Sequence, residues 1–228
     1  MIGVNTIQAG QGNVNRAVQA VVATLGVIFG LGGMGHGFFE ALQGNTPTGG
    51  LVIDAIGEAH RMWLHGNEPA FTLIPNFLLS GVAAMVVGLA VMIWSAGFLH
   101  KKHASVVFLS LFILLFLVGG GIGQVIFFTI GWLMCMRIRK PLRWWKKVLP
   151  TGMRTFISKL WRPFLIASSL CILYALQIAI FGYVPGVSDP DIISMVMVSV
   201  LGAGLLFLIL AFISGCAHDA DKGVAVNE

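Results

Sequence analysis

The amino-acid sequence predicts an all-α, polytopic integral membrane protein with about five transmembrane helices and an amphipathic helix at the cytoplasmic interface. Of its 228 residues, 57% are hydrophobic and only 10% are charged, whereas about 25% are charged in ordinary soluble domains. The mean hydropathy is +0.90. Five apolar runs are each long enough to cross a hydrocarbon core of about 30 Å, which takes about 20 helical residues. Within a single domain, 1–228, these runs cover residues 17–39, 71–99, 104–135, 163–183 and 191–215.

The first span carries a cluster of glycines and ionisable residues towards its end. Four glycines and His36 fall in the string GGMGHG, and Glu40 follows His36 by four residues. Residues four apart share a helix face, so the imidazole and the carboxyl can interact. Small residues let membrane helices approach closely, which predicts helix packing through the glycines. These glycines are Gly32, Gly33, Gly35 and Gly37.

Residues 51–65, LVIDAIGEAHRMWLH, are predicted to form the amphipathic helix. The ionisable residues Asp54, Glu58, Arg61 and His65 are spaced by four, three and four, so they share one face of a helix. The segment is too short to span a bilayer, and such a helix lies in the membrane surface. The alternative is a re-entrant element that folds into the bundle.

The third span contains a weak echo of the first. The string GGIGQVIF repeats the pattern G-G-x-G-[HQ]-x-x-F of GGMGHGFF, 88 residues further along the chain. The echo predicts that spans one and three are parallel helices that pack through glycine. The alternative is a locally broken helix, as occurs where the backbone lines a cavity. The glycines of the third span are Gly119, Gly120, Gly121 and Gly123.

Residues 136–162 form a basic loop between spans three and four. Nine of the fourteen Lys and Arg residues lie between Arg137 and Arg162, which is typical of a cytoplasmic loop. This clustering explains the net charge of +5 without a nucleic-acid partner. Indoles mixed with cations favour contact with anionic lipid headgroups. The residues predicted to lie at the lipid interface are Trp144, Trp145, Lys146, Lys147 and Trp161.

A cytoplasmic basic loop sets the orientation of five spans. The N-terminus is then predicted outside, residues 40–70 inside, and the C-terminal tail, 216–228, in the cytoplasm. Lys101 and Lys102 would lie outside, against the usual bias of positive charge.

Few polar side chains fall at membrane depth. His36, Asn76 and Gln124 lie towards the cytoplasmic ends of neighbouring predicted spans, and Gln177 lies towards the outer side. An ionisable residue inside a membrane indicates a functional site, because an unpaired charge there is costly. We therefore predict a polar path for a small solute or ion, lined by His36, Glu40, Asn76 and Gln124. A structural His36–Glu40 pair at the helix end is the alternative.

A metal site is a further alternative. His36, Glu40, Glu58 and His60 would supply imidazole and carboxylate ligands that suit Zn²⁺ or a di-iron centre. Their spacing matches neither H-E-x-x-H nor E-x-x-H, so no cofactor is predicted from a motif. The three cysteines have no C-x-x-C spacing and predict no metal or disulfide framework.

The strings GMGHGFFEALQGN, AIGEAHRMWLHGNEPAFTLIPNFLLSG and FLVGGGIGQ resemble an uncharacterised family of small prokaryotic polytopic membrane proteins. The resemblance covers about the first 140 residues. It implies a prokaryotic cytoplasmic membrane, but no activity and no site residues.

Three classes of function remain. The first is transport or permeation of a small solute or ion between the glycine-rich helices. The second is a non-catalytic subunit or scaffold, as a homo-oligomer or within a larger membrane assembly. The third is an intramembrane metal-dependent enzyme, although the chain has no nucleophile motif such as G-x-S-x-G. The sequence favours the first class and leaves enzymatic activity open.

Overall fold

The structure, a computed structural model, describes residues 14–222. It is mostly helical, and four of its helices are long and apolar enough to cross a membrane. In chain order the elements are α1 (Arg16–Leu42), β1 (Val52–Asp54), β2 (Pro69–Thr72), α2 (Phe77–Gly97), α3 (Ala104–Leu117), β3 (Val118–Gly121), α4 (Gln124–Cys135), α5 (Arg143–Val148), α6 (Thr151–Ser158), α7 (Trp161–Phe181) and α8 (Pro190–Lys222).

The four long helices, α1, α2, α7 and α8, occupy four of the five predicted runs. Among these four runs, the predicted and observed bounds differ most at the end of the chain, where α8 continues to Lys222. The tail predicted from residue 216 is therefore helical up to that point, and residues 223–228 lie outside the described part. The 33 residues of α8 extend about 50 Å, which is more than a hydrocarbon core requires.

Residues 104–135 form a hairpin. Helix α3 packs against α2 and reaches α1 with side chains such as Leu115, which lies against Gly33, and α4 returns in the opposite direction. Phe112 of α3 and Phe128 of α4 stack with their ring centroids 5.6 Å apart. The prediction of one continuous helix over 104–135 is therefore wrong. We refer to α3, β3 and α4 together as the hairpin.

The reversal occurs at the glycines that follow α3. Gly119 has a φ of +114°, a conformation that residues with a side chain rarely adopt. The backbone here is extended as β3 and pairs with β2, so its polar groups gain partners outside a helix. The prediction of helix packing through Gly119, Gly120 and Gly121 is wrong, since these three lie in a strand. Gly123 precedes α4, and a Cβ placed on it would have no neighbour within 4 Å.

The echo between spans one and three does not correspond to a structural repeat. The string GGMGHGFF lies wholly within continuous α1. The string GGIGQVIF instead covers the end of β3, the turn and the start of α4. The glycines of the first string are helical, whereas residues 120–123 of the second are not, because Gly121 pairs with Ala70 of β2 and the chain then turns into α4.

The segment before α2 forms a small antiparallel sheet in the order β1-β2-β3. Val52 pairs with Phe71, and Ala70 pairs with Gly121 of the hairpin. The predicted amphipathic helix over 51–65 is therefore wrong, and the helical part of this segment is a single 3-10 turn, Glu58–His60. Ile53 is buried between two exposed neighbours, which is the alternation of a strand.

Hydrogen bonds between distant segments define the two ends of the helical bundle. At the first, the Asn15 side chain donates to the Arg137 carbonyl at 2.7 Å. Arg139 donates to the His100 carbonyl at 2.7 Å, which closes the base of the hairpin. The Asp219 carboxylate, near the end of α8, accepts from the Val18 N–H of α1 at 3.0 Å. We call this the basic end.

The opposite end holds residues 43–76 and the connection between α7 and α8. The Trp63 indole donates to the Ala179 carbonyl near the end of α7 at 2.9 Å. His65 lies 3.0 Å from a carboxylate oxygen of Asp191 at the start of α8. Helices α1 and α7 therefore run in the same direction, and α2 and α8 run against them.

Positive charge divides sharply between these ends. All fourteen Lys and Arg residues fall within the described range 14–222, and thirteen of them lie at the basic end. The single exception is Arg61, which bonds to Asp54 at 3.2 Å. Lys101 and Lys102 follow α2 at the basic end, beside the base of the hairpin.

Candidate functional site

Helix α1 packs against α2 through glycines on one of its faces. A Cβ placed on Gly30 would lie 2.8 Å from the Gly88 carbonyl, and one on Gly37 would lie 2.5 Å from the Gly81 carbonyl. These distances leave no room for a side chain, so α1 and α2 pack backbone to backbone. Gly35 has nothing within 4 Å and does not take part in this packing.

The glycine partners on α2 were missed by sequence reasoning. Gly81, Gly88 and Ser95 recur every seven residues, which keeps them on one face of a helix. The matching signal on α1 is a pair of G-x-x-x-G spacings, Gly26–Gly30 and Gly33–Gly37. These repeats point more directly to the packed face than does the dense cluster Gly32–Gly37.

Strand β3 crosses α1 at the level of the two ionisable residues. A Cβ on Gly121 would lie 2.5 Å from Nε2 of His36, and one on Gly119 would collide with the Glu40 carboxyl group. The glycines therefore allow the strand backbone to approach both side chains. The tip of the hairpin, rather than a second packed helix, is what faces His36 and Glu40.

Glu40 is fully buried. Within residues 14–222, neither of its carboxyl oxygens has a hydrogen-bond partner. The Ser80 hydroxyl is the neighbouring group that could bond to Glu40, but its proton is directed elsewhere: it lies 2.7 Å from Oγ1 of Thr72 and donates to the Val118 carbonyl at 3.0 Å. A buried polar group without a protein partner is rare, and a bound ion, a water molecule or a proton normally satisfies it.

Glu68 adds a second carboxylate to this region. Its Oε2 lies 3.5 Å from Nε2 of His36, which is buried except for a small fraction of its side chain. Burial raises the pKa of the Glu68 carboxyl above its usual value. Glu68 also has a φ of +49°, which is uncommon for a residue with a side chain. Sequence reasoning missed Glu68, although an acid directly before Pro69 and an apolar strand is a visible signal.

A cavity of about 450 Å³ lies between α1 and α7, beside His36. Its walls are mostly apolar, and its polar groups are His36, Glu68 and Gln177. Sequence reasoning placed Gln177 at the opposite depth from His36, because it assigned antiparallel directions to their helices. The parallel course of α1 and α7 brings Gln177 to the same cavity.

The other two members of the predicted polar path lie in different settings. Gln124 is almost completely buried at the start of α4, with its Nε2 3.6 Å from a Cβ placed on Gly32. Asn76 caps α2 by accepting from the Leu79 N–H at 3.1 Å, and it donates to Asn45 at 2.7 Å. Both of these hydrogen bonds are made by the Asn76 side-chain amide, which lies at the surface of the opposite end.

The residues of the metal alternative do not assemble. Glu58 and His60 lie on the 3-10 turn, where Glu58 is exposed. In the part of the chain that the structure describes, no three His, Cys, Asp or Glu side chains come together in a way that could hold a metal ion.

The aromatic residues of the basic loop differ in their environments. Trp144 is exposed and lies edge-on to Trp145, which packs against the main core. Trp161 lies 5.7 Å from the His218 ring and has Arg162 5.2 Å from its own centroid. The short helices α5 and α6 occupy the loop, with Lys146 and Lys147 exposed in the last turn of α5.

Comparisons with protein-family models, with curated proteins and with solved structures found no match to this chain.

Proposed function

We propose that the protein moves a small cation or a proton across the membrane, and that Glu40 is the group that binds it in transit. The observation that carries the proposal is the fully buried Glu40 carboxyl, which has no hydrogen-bond partner among residues 14–222. An ionisable side chain inside a membrane protein commonly marks an ion pathway or a proton relay. A cation or proton would supply the partner that this carboxyl lacks.

The charges around the site favour a cation over an anion. Glu68 and His36 lie on the side of the opposite end, and thirteen of the fourteen Lys and Arg residues lie at the basic end. An anion that approached Glu40 from the opposite end would pass the Glu68 carboxyl beside His36 and then meet the Glu40 carboxyl. The approach from the opposite end therefore passes through acidic side chains.

The hairpin supports the same proposal. Non-helical backbone at membrane depth is tolerated where it is buried in protein or lines a cavity, and interrupted helices are typical of transporter binding sites. Strand β3 brings its glycine backbone against the Glu40 carboxyl and the His36 ring. Backbone groups beside two titratable side chains form a compact polar site within an apolar bundle.

Passage towards the basic end requires a movement. Phe29 and Phe127 contact each other with centroids 4.6 Å apart, and Phe108 and Phe112 with centroids 4.8 Å apart. All four are buried and lie between the site and the basic end. We propose that the hairpin shifts relative to α1 to open this side.

The test is ion flux in proteoliposomes containing the purified protein. Glu40→Gln keeps the shape of the side chain but removes its charge, so we expect proton or monovalent-cation flux to fall by about tenfold or more, which corresponds to about 1.4 kcal/mol in a barrier. A trapped pH-sensitive dye and imposed Na⁺ or K⁺ gradients measure the flux. Glu58→Gln is the matched control, since Glu58 is exposed at the opposite end. Equal flux in wild type and Glu40→Gln would rule out the proposal.

We also propose that the basic end is cytoplasmic, in a prokaryotic cytoplasmic membrane. Cytoplasmic segments of membrane proteins carry an excess of Lys and Arg, and the division here is thirteen to one. Residue 14 and Lys222 would then both lie on the cytoplasmic side. This replaces the sequence-based orientation, with its external N-terminus, because that orientation depended on counting 104–135 as a crossing. It also removes the conflict at Lys101 and Lys102. Anionic lipid headgroups remain the proposed partners of the basic end.

Cysteine labelling of intact cells tests the orientation. Ala59 and Lys101 are exposed at the two ends, so each can carry a cysteine without disturbing the core. We expect a membrane-impermeant maleimide to label Ala59→Cys in intact cells and Lys101→Cys only after permeabilisation. The wild type measures the background of its own three cysteines. The reverse labelling pattern would restore the orientation inferred from five spans.

A further inference from the structure

We infer that the cavity between α1 and α7 binds a membrane-soluble molecule with an apolar body and a neutral, hydrogen-bonding head, of the chemical class of isoprenoid quinones. The cavity shares His36 and Glu68 with the proposed approach to Glu40 but is not lined by Glu40 itself, and the inference does not require that the protein transports an ion.

The cavity has the size and lining of a small-molecule site. Its volume of about 450 Å³ falls within the range of about 300–1,000 Å³ that is typical of ligand pockets. Aliphatic and aromatic side chains from both helices form most of its wall, among them Ile28, Phe39 and Leu176. Such a wall accepts an apolar chain or ring and offers little to a strongly hydrated solute.

The mouth of the cavity faces the hydrocarbon. Leu31 and Phe38 line it and are each 52% exposed, and Leu173 lines it from α7 with 43% of its surface exposed. All three lie within helices that are apolar and long enough to span a membrane. A ligand would therefore enter from the lipid, so it must itself be soluble in lipid.

Polar groups mark one place for the head of the ligand. His36 and Glu68 meet on one side, and Gln177 of α7 contributes an amide from the other helix. Nδ1 of His36 is buried and has no hydrogen-bond partner within the described residues. An imidazole and an amide on two different helices can each bond to one of the two carbonyl oxygens of a quinone ring.

The charges exclude the common anionic lipids. No Lys or Arg is among the lining residues of this cavity within residues 14–222, and Arg61, the cation of this end, is bonded to Asp54. A phosphate or a fatty-acid carboxylate would meet the Glu68 carboxyl and no cation. The nearly apolar wall also makes a charged ammonium head costly to bury. A neutral head with hydrogen-bonding groups satisfies each of these constraints.

The test is a calorimetric titration in which decylubiquinone is added to the purified protein in detergent. Leu173→Trp fills the cavity from α7 and should weaken binding by about tenfold or more, which is about 1.4 kcal/mol. Leu170→Trp is the matched control, because Leu170 lies one turn earlier on the exposed surface of α7 and does not line the cavity. Gln177→Leu should also weaken binding, since it removes one hydrogen-bonding group.

Three results would overturn the inference: no saturable binding to the wild type, equal affinity in the Leu173→Trp and Leu170→Trp variants, or equally strong binding of oleate or of an alkyltrimethylammonium at this cavity. Glu40→Gln separates this inference from the proposed function. It should retain quinone binding while it loses flux, whereas Leu173→Trp should lose quinone binding while it retains ion flux.

Discussion

Replacing Gly37 by alanine is expected to lower the stability of the protein by about 1–3 kcal/mol, the usual cost of inserting a methyl group into a closely packed site. A Cβ at this position would lie 2.5 Å from the Gly81 carbonyl oxygen and 2.8 Å from the Met85 nitrogen. Both are backbone atoms, so they cannot move aside by a change of rotamer. The two helices must separate along their longest shared interface. The midpoint of thermal unfolding in detergent, followed by circular dichroism, measures the effect.

Gly35→Ala provides the matched control on the same helix. Gly35 has nothing within 4 Å of its Cβ position, so the added methyl group meets open space. Alanine is favoured over glycine within a helix by about 1 kcal/mol, and this control should be as stable as the wild type or slightly more stable. If Gly37→Ala unfolded at the same temperature as Gly35→Ala, the backbone-to-backbone packing of α1 against α2 would be incorrect.

Replacing Gly119 by alanine is expected to disturb both the fold and the proposed ion flux. The φ of +114° at Gly119 is unfavourable for alanine, and holding a residue in such a region costs about 1–3 kcal/mol. The added Cβ would also collide with the Glu40 carboxyl group. We therefore expect a lower midpoint of thermal unfolding and reduced flux from the same substitution.

A double-mutant cycle separates the two causes. Glu40→Ala removes the carboxyl group that the new methyl group would meet, but it leaves the backbone strain at Gly119 unchanged. The combined loss of stability should therefore be smaller than the sum of the two single losses. Gly123→Ala is the control, because Gly123 has a φ of −60° and no neighbour within 4 Å. Strict additivity in the cycle would contradict the contact between β3 and Glu40.

The four long helices were predictable because hydropathy is a property of composition. The predicted runs 17–39 and 163–183 agree with α1 (Arg16–Leu42) and α7 (Trp161–Phe181) to within three residues at each end. No contact between distant parts of the chain is needed to place such segments, since transfer of apolar side chains out of water suffices. The same reasoning identified His36 and Glu40 as unusual, because ionisable residues at membrane depth stand out against an apolar background.

The hairpin was not predictable in the same way. Residues 104–135 are apolar throughout, and an apolar run is equally compatible with one long helix and with two short ones. The choice depends on whether the extended backbone at Gly119–Gly121 finds hydrogen bonds, and its partner, β2, lies about fifty residues earlier in the chain. The spacing of Asp54, Glu58 and Arg61 misled for a related reason. A spacing of three and four is typical of a helix, but pairing of β1 with β2 takes precedence over that local preference.

The sequence by itself determined that the chain is an apolar helical protein, where its long helices lie, and that His36 and Glu40 fall on one face of the first of them. Those properties depend on composition and on the helical repeat, which are local. Only the tertiary structure decided that the third apolar run turns back, that Glu68 and Gln177 join His36, and that nearly all positive charge gathers at one end. Each of these depends on contacts between residues far apart in the chain, and a single reversal at Gly119 changes the side on which every preceding segment lies.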